Sequence, residues 1–532
     1  MDNHLNHIHL FGNPSENFYV LGKRDKTSFQ EVYHQISMLC ARNNYLAKII
    51  KTSTELSRRY KNQNHSSNYI DELSSYAEGL EKPLDDVLFA MLLPEVVASF
   101  NKWTPNLLSI IPGCSSLFQK DSQTGGVIHT RILDYALSGP FEKYERSVLY
   151  DFKDKYKVFS LSTSGLALPA ISGMNEKGLT VAIHYKHGST FDLDGQSIFS
   201  LASNVLFYCA DIREVIKYLK NQQSISYWGL YLSDASGNVA SVDISGNEFY
   251  QQKFDINDHD YLYFNNRPII KKNEHTDIQP YGNMDQCHMR SEIIRIKLQG
   301  QKTTTTLDSL KNLSGDFKYK SKTAKDWKLA PTTPSSIQAF SFNYKADEII
   351  ALQGDAPKFF NNEYLTYTSI FSETTLSKKK SKAKQNNYIK GYKSLAKTQS
   401  AIDLGDISLA YHEIQMAIEY FKGYPEYYIS KFFFSVLKYI YESDKRDMTY
   451  LFHEFESYNG KLPAYLQDQN FLFILRSQII IGHKVKSDIE KMNNLKLKQL
   501  YAHELKLNGL GIKGLKNFIF PRIEILDIIY SY

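Results

Sequence analysis

The chain has 532 residues, 42% hydrophobic and 23% charged, enough to bury a sizeable core in more than one domain and too apolar for a disordered or collagen-like chain. Lys and Arg number 63 against 57 Asp and Glu, a net charge of +6 that is too dilute to argue for a polyanion, so no nucleic-acid partner is expected. Four cysteines (Cys40, Cys114, Cys209, Cys287) stand without Cys-x-x-Cys spacing, which excludes a disulfide framework and argues against a cysteine zinc site. Any cysteine that matters therefore does so as a thiol, and neither metal nor organic cofactor is expected.

The N-terminus, MDNHLNHIHLFGNPSENF, has no basic segment followed by an apolar stretch and does not read as a secretion signal, so a cytoplasmic location is the default expectation. From about residue 28 to 100, apolar residues recur at three- and four-residue spacing, which predicts an all-α segment. After Cys114 the texture changes to short runs rich in Val, Ile, Leu, Tyr and Phe, separated by turn residues, and predicts a sheet region. Within it, NEKG at 175–178 reads as a tight turn and DASGN at 234–238 as a hairpin, while 197–222 and 289–315 return to helical periodicity. Strand blocks with inserted helices make this an α+β domain.

The stretch IQAFSFNYKADEIIALQG at 337–354 reads as the last hairpin of that domain, and the basic run SKKKSKAKQNN at 377–387 reads as a linker without an apolar face. From 388 to 532 the pattern is helical again. GDISLAYHEIQMAI resembles half of a tetratricopeptide repeat, so a helical bundle and a peptide-binding solenoid both remain open, the latter implying a protein partner. No uncharged apolar run approaches the ~20 residues of a membrane span; the best candidate, LFILRSQIIIG at 472–482, carries Arg476. The expected boundaries are a helical prosegment at 1–113, the sheet domain at 114–372, a linker at 373–387 and a helical domain at 388–532.

The segment that carries chemistry is IPGCSSLFQKDSQTGGVIHTRILDYA, residues 111–136. Were the Gly113–Cys114 bond cleaved, the new α-amine of Cys114 would have a pKa of roughly 7.7–8.0, neutral enough at physiological pH to serve as base for its own thiol. Gly113 suits such a cleavage because a residue without Cβ lets the sulfur approach the preceding carbonyl. Arg131 would favour a thiolate, and Asp134 would accept hydrogen bonds from the new ammonium or from Arg131. Strict strand alternation sends Arg131 and Asp134 to opposite faces, so a bulge or a strand end is required between them.

These residues resemble the cysteine-type N-terminal-nucleophile hydrolases, the group of isopenicillin-N acyltransferases, choloylglycine hydrolases and acid-ceramidase-like amidases. YAEGLEKPLDDVLFAMLLPEV at 76–96 is similar to the prosegment of the acyltransferase branch, GCSS to the maturation site, and GGVIHTRILDY to the Arg-x-x-Asp strand element. SGMNEKGLTVAIHY at 172–185, LSDASGNVASVDISG at 232–246 and YFNNRP at 263–268 follow in the family's order. The resemblance implies an αββα sandwich, with Cys114 as nucleophile, Asp134 as partner of its amine, Arg131 as an electrostatic neighbour and the Asn265 side chain as oxyanion donor. Asn266 is the register alternative to Asn265, and Arg290 competes with Arg267 as the family's second arginine. His184 stands where some relatives place a second oxyanion asparagine. The implied activity is hydrolysis of a linear, non-peptide, small-molecule amide through a Cys114 thioester. An acyltransferase using the same intermediate is one alternative. Others are a papain-like pairing with His129 or His184 and a catalytically silent module whose C-terminal helices bind a protein.

Overall fold

The protein is described here from a computed structural model, covering residues 6–41, 52–58, 67–100, 113–135, 139–188, 190–269, 281–314, 331–333, 335–356, 358, 363–380, 386–441, 445–482 and 488–506. Two compact units are present, the first built mainly from residues up to 383 and the second mainly from residues 384–532. Among the described residues no helix is long and apolar enough to cross a membrane.

The region before Cys114 contains β1 (Asn6–Gly12), α1 (Pro14–Ala41), α2 (52–58), α3 (Ser67–Leu80) and α4 (Leu84–Phe100). The described elements at 28–100 are helices, whereas the helical prosegment expected over 1–113 also contains a strand. HIHLF alternates, with Ile8 and Leu10 buried, and β1 pairs in parallel with β4 (Glu145–Phe152). Five alternating residues near a terminus are too short a run to stand out against the helical periodicity that follows. The Ala77-Glu78-Gly79 element has a packing reason: a Cβ on Gly79 would lie 2.1 Å from Tyr19 O, and one on Gly22 2.2 Å from Tyr76 O, so α1 and α3 cross backbone to backbone. Buried polar ties hold the region in place. Asp25 meets Arg146 at 2.6 Å and accepts from Tyr76 at 2.6 Å, and Glu72 meets Lys155 at 2.6 Å. Glu95 accepts from the Ile198 N–H at 2.8 Å and the Trp228 Nε1–H at 2.9 Å.

One sheet has the order β1-β4-β5-β6-β7-β8-β9-β10, where β5 is Val158–Thr163, β6 Ser172–Asn175, β7 Thr180–Tyr185, β8 Tyr227–Ser233, β9 Asn238–Ser245 and β10 Glu248–Asp255. The other has the order β11-β2-β3-β12-β13-β14-β15, with β2 Cys114–Lys120, β3 Val127–Asp134, β11 Leu262–Phe264, β12 Ser336–Asn343, β13 Glu348–Leu352, β14 Glu363–Thr368 and β15 Thr375–Lys380. Both expected turns are there: Asn175 Oδ1 accepts from the N–H of Lys177 and Leu179, and Asp234 Oδ1 from those of Ser236 and Asn238. The helical stretch at 197–222 is two helices, α6 (Ile198–Tyr208) and α7 (Ile212–Leu219), the second capped by the Asp211 side chain. A short α5 (Pro140–Lys143) precedes β4, and the stretch at 289–315 holds the end of α8 (Tyr281–Leu298) and all of α9 (Thr306–Ser314), with 299–305 non-helical between them and 315 outside the described residues.

The hairpin at 337–354 is not the last one. β14 and β15 extend the sheet, so its final strand occupies the start of the expected linker. A lysine-bearing strand needs no apolar face when only its backbone pairs, and lysines discourage further pairing at a sheet edge.

Leu149, Phe159, Leu161 and Met174 of the first sheet share a core with Phe340, Phe342, Ile349 and Leu365 of the second. A separate cluster joins the second sheet to α8 and α9, and the largest joins α1, α3, α4, α6 and α7 to the first sheet.

In the second unit, α10 (Asn387–Leu404), α11 (Ile407–Tyr420), α12 (Glu426–Tyr441), α13 (Lys445–Ser457), α14 (Ala464–Ile480) and α15 (Leu495–Lys506) pack in sequence, each on the next. Alternate helices start at Asn387, Glu426 and Ala464, 39 and 38 residues apart, a longer spacing than the 34 residues of a tetratricopeptide repeat. The turn at Gly405, φ +77°, and the Asp406 cap on the Leu409 N–H account for the glycine-aspartate pair.

Candidate active site

Cys114 opens β2 opposite Leu133, and Ser116 lies opposite Arg131. Strand alternation turns Cys114, Ser116 and Phe118 toward the first sheet, and Ser115 and Leu117 toward α8 and α9. On the sheet-facing side, Arg131 Nη2 stands 3.6 Å from Cys114 Sγ and donates to Ile183 O at 2.6 Å, while Nη1 donates to Ile171 O and Ser172 Oγ. Asp134 is the last residue of β3. There β12 shifts register by one residue, Ser336 pairing with Asp134 and Gln338 with Leu133. The strand end is therefore present at Asp134, whereas the bulge lies in β12 and leaves the alternation of β3 intact, with Arg131 toward the first sheet and Asp134 toward Arg290 of α8.

The other side of Cys114 is its main chain, and it is held from α8. The fully buried Arg290 donates through Nη1 to Cys114 O at 3.4 Å and to Ser115 Oγ at 3.2 Å, and lies 3.5 Å from Asp134 Oδ2. Its Nη2 reaches Cys287 Sγ at 3.3 Å and Asn266 Oδ1 at 3.5 Å. Arg267, the rival for this place, is exposed. A Cβ on Gly113 would lie 2.3 Å from Arg290 Nη2, so glycine is what allows the guanidinium to sit against the bond before Cys114. The Asp134 N–H donates to Gly113 O at 3.1 Å, one further rung of the β2–β3 ladder, and Asp134 Oδ1 accepts from Ser336 Oγ.

The two asparagines divide differently from the expectation. Asn265 turns its amide toward α8, donating to Cys287 O at 2.8 Å and Ser291 Oγ at 3.0 Å. Asn266 is the one at the cysteine, its Oδ1 accepting from the Cys114 N–H at 2.7 Å and its Nδ2 donating to Tyr185 O at 2.9 Å. An oxygen facing two donors and a nitrogen facing a carbonyl fix the orientation of this amide.

Neither histidine is at the sulfur. His184 Nε2 bonds Ser116 Oγ at 2.9 Å, and the ring lies 4.3 Å from that of Tyr231. His129 meets the same hydroxyl at 3.3 Å and Thr180 Oγ1 at 2.8 Å. Burial first, then the nearby Arg131 charge, hold both well below the usual histidine range, so both rings are neutral hydrogen-bonding groups. Burial also pushes the Cys114 thiol up, and Asp134 adds to this, against the opposing pull of Arg131. With Gly113 attached, this environment favours the protonated form of the Cys114 thiol. Burial pushes Cys209 up to about 12.

A cavity of about 80 Å³ opens on Cys114 and Arg131. Its walls are mostly apolar and include Ile36 of α1, Ala90 and Leu93 of α4, and Ile183 and Phe199, so the region before Cys114 supplies one side of it. Among the described residues no group of three or more His, Cys, Asp or Glu is placed to hold a metal ion.

Sequence reasoning missed the support behind Asn266, namely Lys186, Tyr231 and Asp243. All three are buried, and Lys186 Nζ lies 3.8 Å from Asp243 Oδ1. A signal was available in Gly229, a lone glycine inside the strand YWGLYLS, since such a glycine marks the close approach of another group.

No protein-family model matches the chain, and no curated protein does. Among solved structures, it is similar to penicillin V acylase from Agrobacterium tumefaciens at 16% identity and a TM-score of 0.31, covering 50% of this chain and 90% of that one. It is also similar to two variants of conjugated bile acid hydrolase from Clostridium perfringens, at 12% and 14% identity and TM-scores of 0.32 and 0.33. Each match covers 51% of this chain, and 97% and 98% of the respective neighbour.

Proposed function

We propose that this chain is a self-processing cysteine amidohydrolase that cleaves a linear, non-peptide amide through a thioester on Cys114. The observation that carries the reading is the double hold on Cys114: Arg131 at its sulfur on one face of the sheet, and Asn266 and Arg290 on its main chain. Packing of the two sheets on each other and of helices on both outer faces supports the αββα sandwich implied by the motifs.

In self-processing, Cys114 Sγ attacks the Gly113 carbonyl carbon, and the oxyanion stays on the Asp134 N–H that already holds Gly113 O. The C–N bond breaks as the Cys114 nitrogen takes the thiol's proton. Water then hydrolyses the Gly113 thioester, leaving a carboxylate on Gly113 and a free α-amine on Cys114. That amine, with an N–H still directed at Asn266 Oδ1, takes the thiol proton as Sγ attacks the substrate carbonyl. Arg131 stabilises the charge that develops beside it. The proton passes to the leaving amine, and water resolves the acyl-enzyme. Asn266 is thus an acceptor for the nucleophile's own amine, in place of the oxyanion role expected of Asn265.

Intact mass under denaturing conditions is the test. Two pieces, the larger beginning at Cys114, are expected from the wild-type chain and one piece from Cys114→Ala, whereas an uncut wild-type chain overturns the reading. Iodoacetamide should label Cys114 faster than Cys209, and equal rates would count against an activated thiol.

A further inference from the structure

We infer that Lys186 is a positioning residue that sets Asn266 against the Cys114 amine, an inference that rests on Cys114 being the nucleophile. Lys186 follows β7 and has no exposed surface. Its ammonium donates to Asn265 O at 3.1 Å, to Arg267 O at 2.5 Å and to Tyr231 Oη at 2.5 Å. The two carbonyls are those on either side of Asn266, so the lysine grips the loop at both shoulders of the residue that touches the nucleophile. Tyr231 adds a second donor to Asn265 O at 3.1 Å. Tyr185, the neighbour of Lys186 in the chain, accepts from Asn266 Nδ2 through its carbonyl, so one strand end fixes both the main chain and the side chain of that loop.

The arrangement is built at some expense. A Cβ on Gly229 would lie 2.6 Å from Lys186 Cε, so the lysine stem crosses the strand where a side chain is missing. Asp243, two strands away in register with Gly229, provides the counter-charge and accepts from the Tyr227 hydroxyl at 2.8 Å and the Ile269 N–H at 2.9 Å. A buried ion pair is weak support for stability, since well-packed apolar groups of similar volume usually do as well or better. What apolar groups cannot do is hold two carbonyls at fixed points. The loop needs this because it follows the last paired residue of β11, Phe264, and has no ladder of its own. Freed of Gly113, the Cys114 amine can serve as base only while its nitrogen stays oriented toward Sγ, and a misplacement of ~1 Å is enough to lower a rate by about 100-fold.

The test reads the rate of Gly113–Cys114 cleavage by intact mass and the rate of Cys114 carbamidomethylation by iodoacetamide. Lys186→Met keeps the length of the stem and removes the donors, whereas Lys186→Arg keeps charge and donors but adds bulk. Lys186→Met is expected to slow both rates roughly 10- to 100-fold, with Lys186→Arg clearly less affected; a packing role would give the reverse order and overturn the inference. In an Asn266→Ala background, Lys186→Met should add nothing further, and multiplying effects would overturn it as well. Should Lys186→Met fail to fold, Tyr231→Phe removes one of the same hydrogen bonds and should likewise slow the wild-type background but not Asn266→Ala. A wild-type chain that neither cleaves nor labels selectively refutes the catalytic reading itself, which separates the two failures.

Discussion

The two regions that flank the sheet-forming stretch of the chain are alike in sequence, both reading as helical, yet they are built in different ways. The region before Cys114 contributes a strand to the first sheet, a wall to the cavity over Cys114, and buried polar ties through Asp25, Glu72 and Glu95. The helices from Asn387 onward form a compact unit of their own, each packed on its successor. Helical periodicity reports that one stripe of a helix is buried; it does not report what lies against that stripe. Buried carboxylates tied to the first sheet, its turns and its helices distinguish the first region, and they give the comparison its tests.

The largest effect is expected where an ion pair is broken inside the first region. Asp25→Ala leaves Arg146 buried without its carboxylate and removes the acceptor of Tyr76, for a loss of about 3–5 kcal/mol. Denaturant unfolding should show this loss, and because α1 lines the cavity, cleavage at Gly113 should fall with it. If Asp25→Ala proved neutral while the helix contacts persisted, the region would be a bystander and the contrast with the C-terminal helices would disappear.

A smaller and more local loss is expected in the second unit. Glu426 of α12 accepts from the hydroxyls of Tyr388 at 3.1 Å and Tyr392 at 2.8 Å, both on α10. Glu426→Ala takes that carboxylate from two buried tyrosines, costing about 1–3 kcal/mol. Hydrogen exchange should locate the added opening in α10, α11 and α12 while Cys114 still labels at its wild-type rate. A parallel loss of Cys114 labelling would show that the two regions do not differ in the way proposed here.

Much of the site was legible because its signals are local or follow from strand register. Asn175 and Asp234 make their own turns. Cys114, Arg131 and Asp134 sit on a hairpin whose spacing dictates which faces they take. The choice between Asn265 and Asn266 was not legible, because it depends on where β11 stops pairing, and alternation lapses beyond Phe264. Nor was the meeting of Lys186 with Asp243, which needs three strands in register and Gly229 between them. β1 and β15 escaped for a related reason. Both lie at sheet edges, where backbone pairing suffices and the apolar pattern is short or absent.

A test of the two sheets themselves uses acid. His129 and His184 are held well below the usual range by burial and His187 is lowered to about 3, whereas in the unfolded chain each titrates near 6.5. Below 6.5 the unfolded chain binds protons that the folded first unit refuses, so stability is present in full above 6.5 and falls as the pH drops toward 3. The slope is about 1.4 kcal/mol per pH unit for each histidine that remains neutral. All three residues lie on or just after strands of the two sheets, so in hydrogen exchange followed from pH 7 to 4 the sheets should lose protection progressively. The effect should be strongest around Ser116 and Thr180, whose hydroxyls the neutral rings engage. Replacing His129 and His184 together with Gln would keep hydrogen-bonding capacity while removing the titration. The sheets should then hold their protection to lower pH than in the wild-type chain. If the double variant instead lost protection over the same window, the acid sensitivity would have to come from other groups.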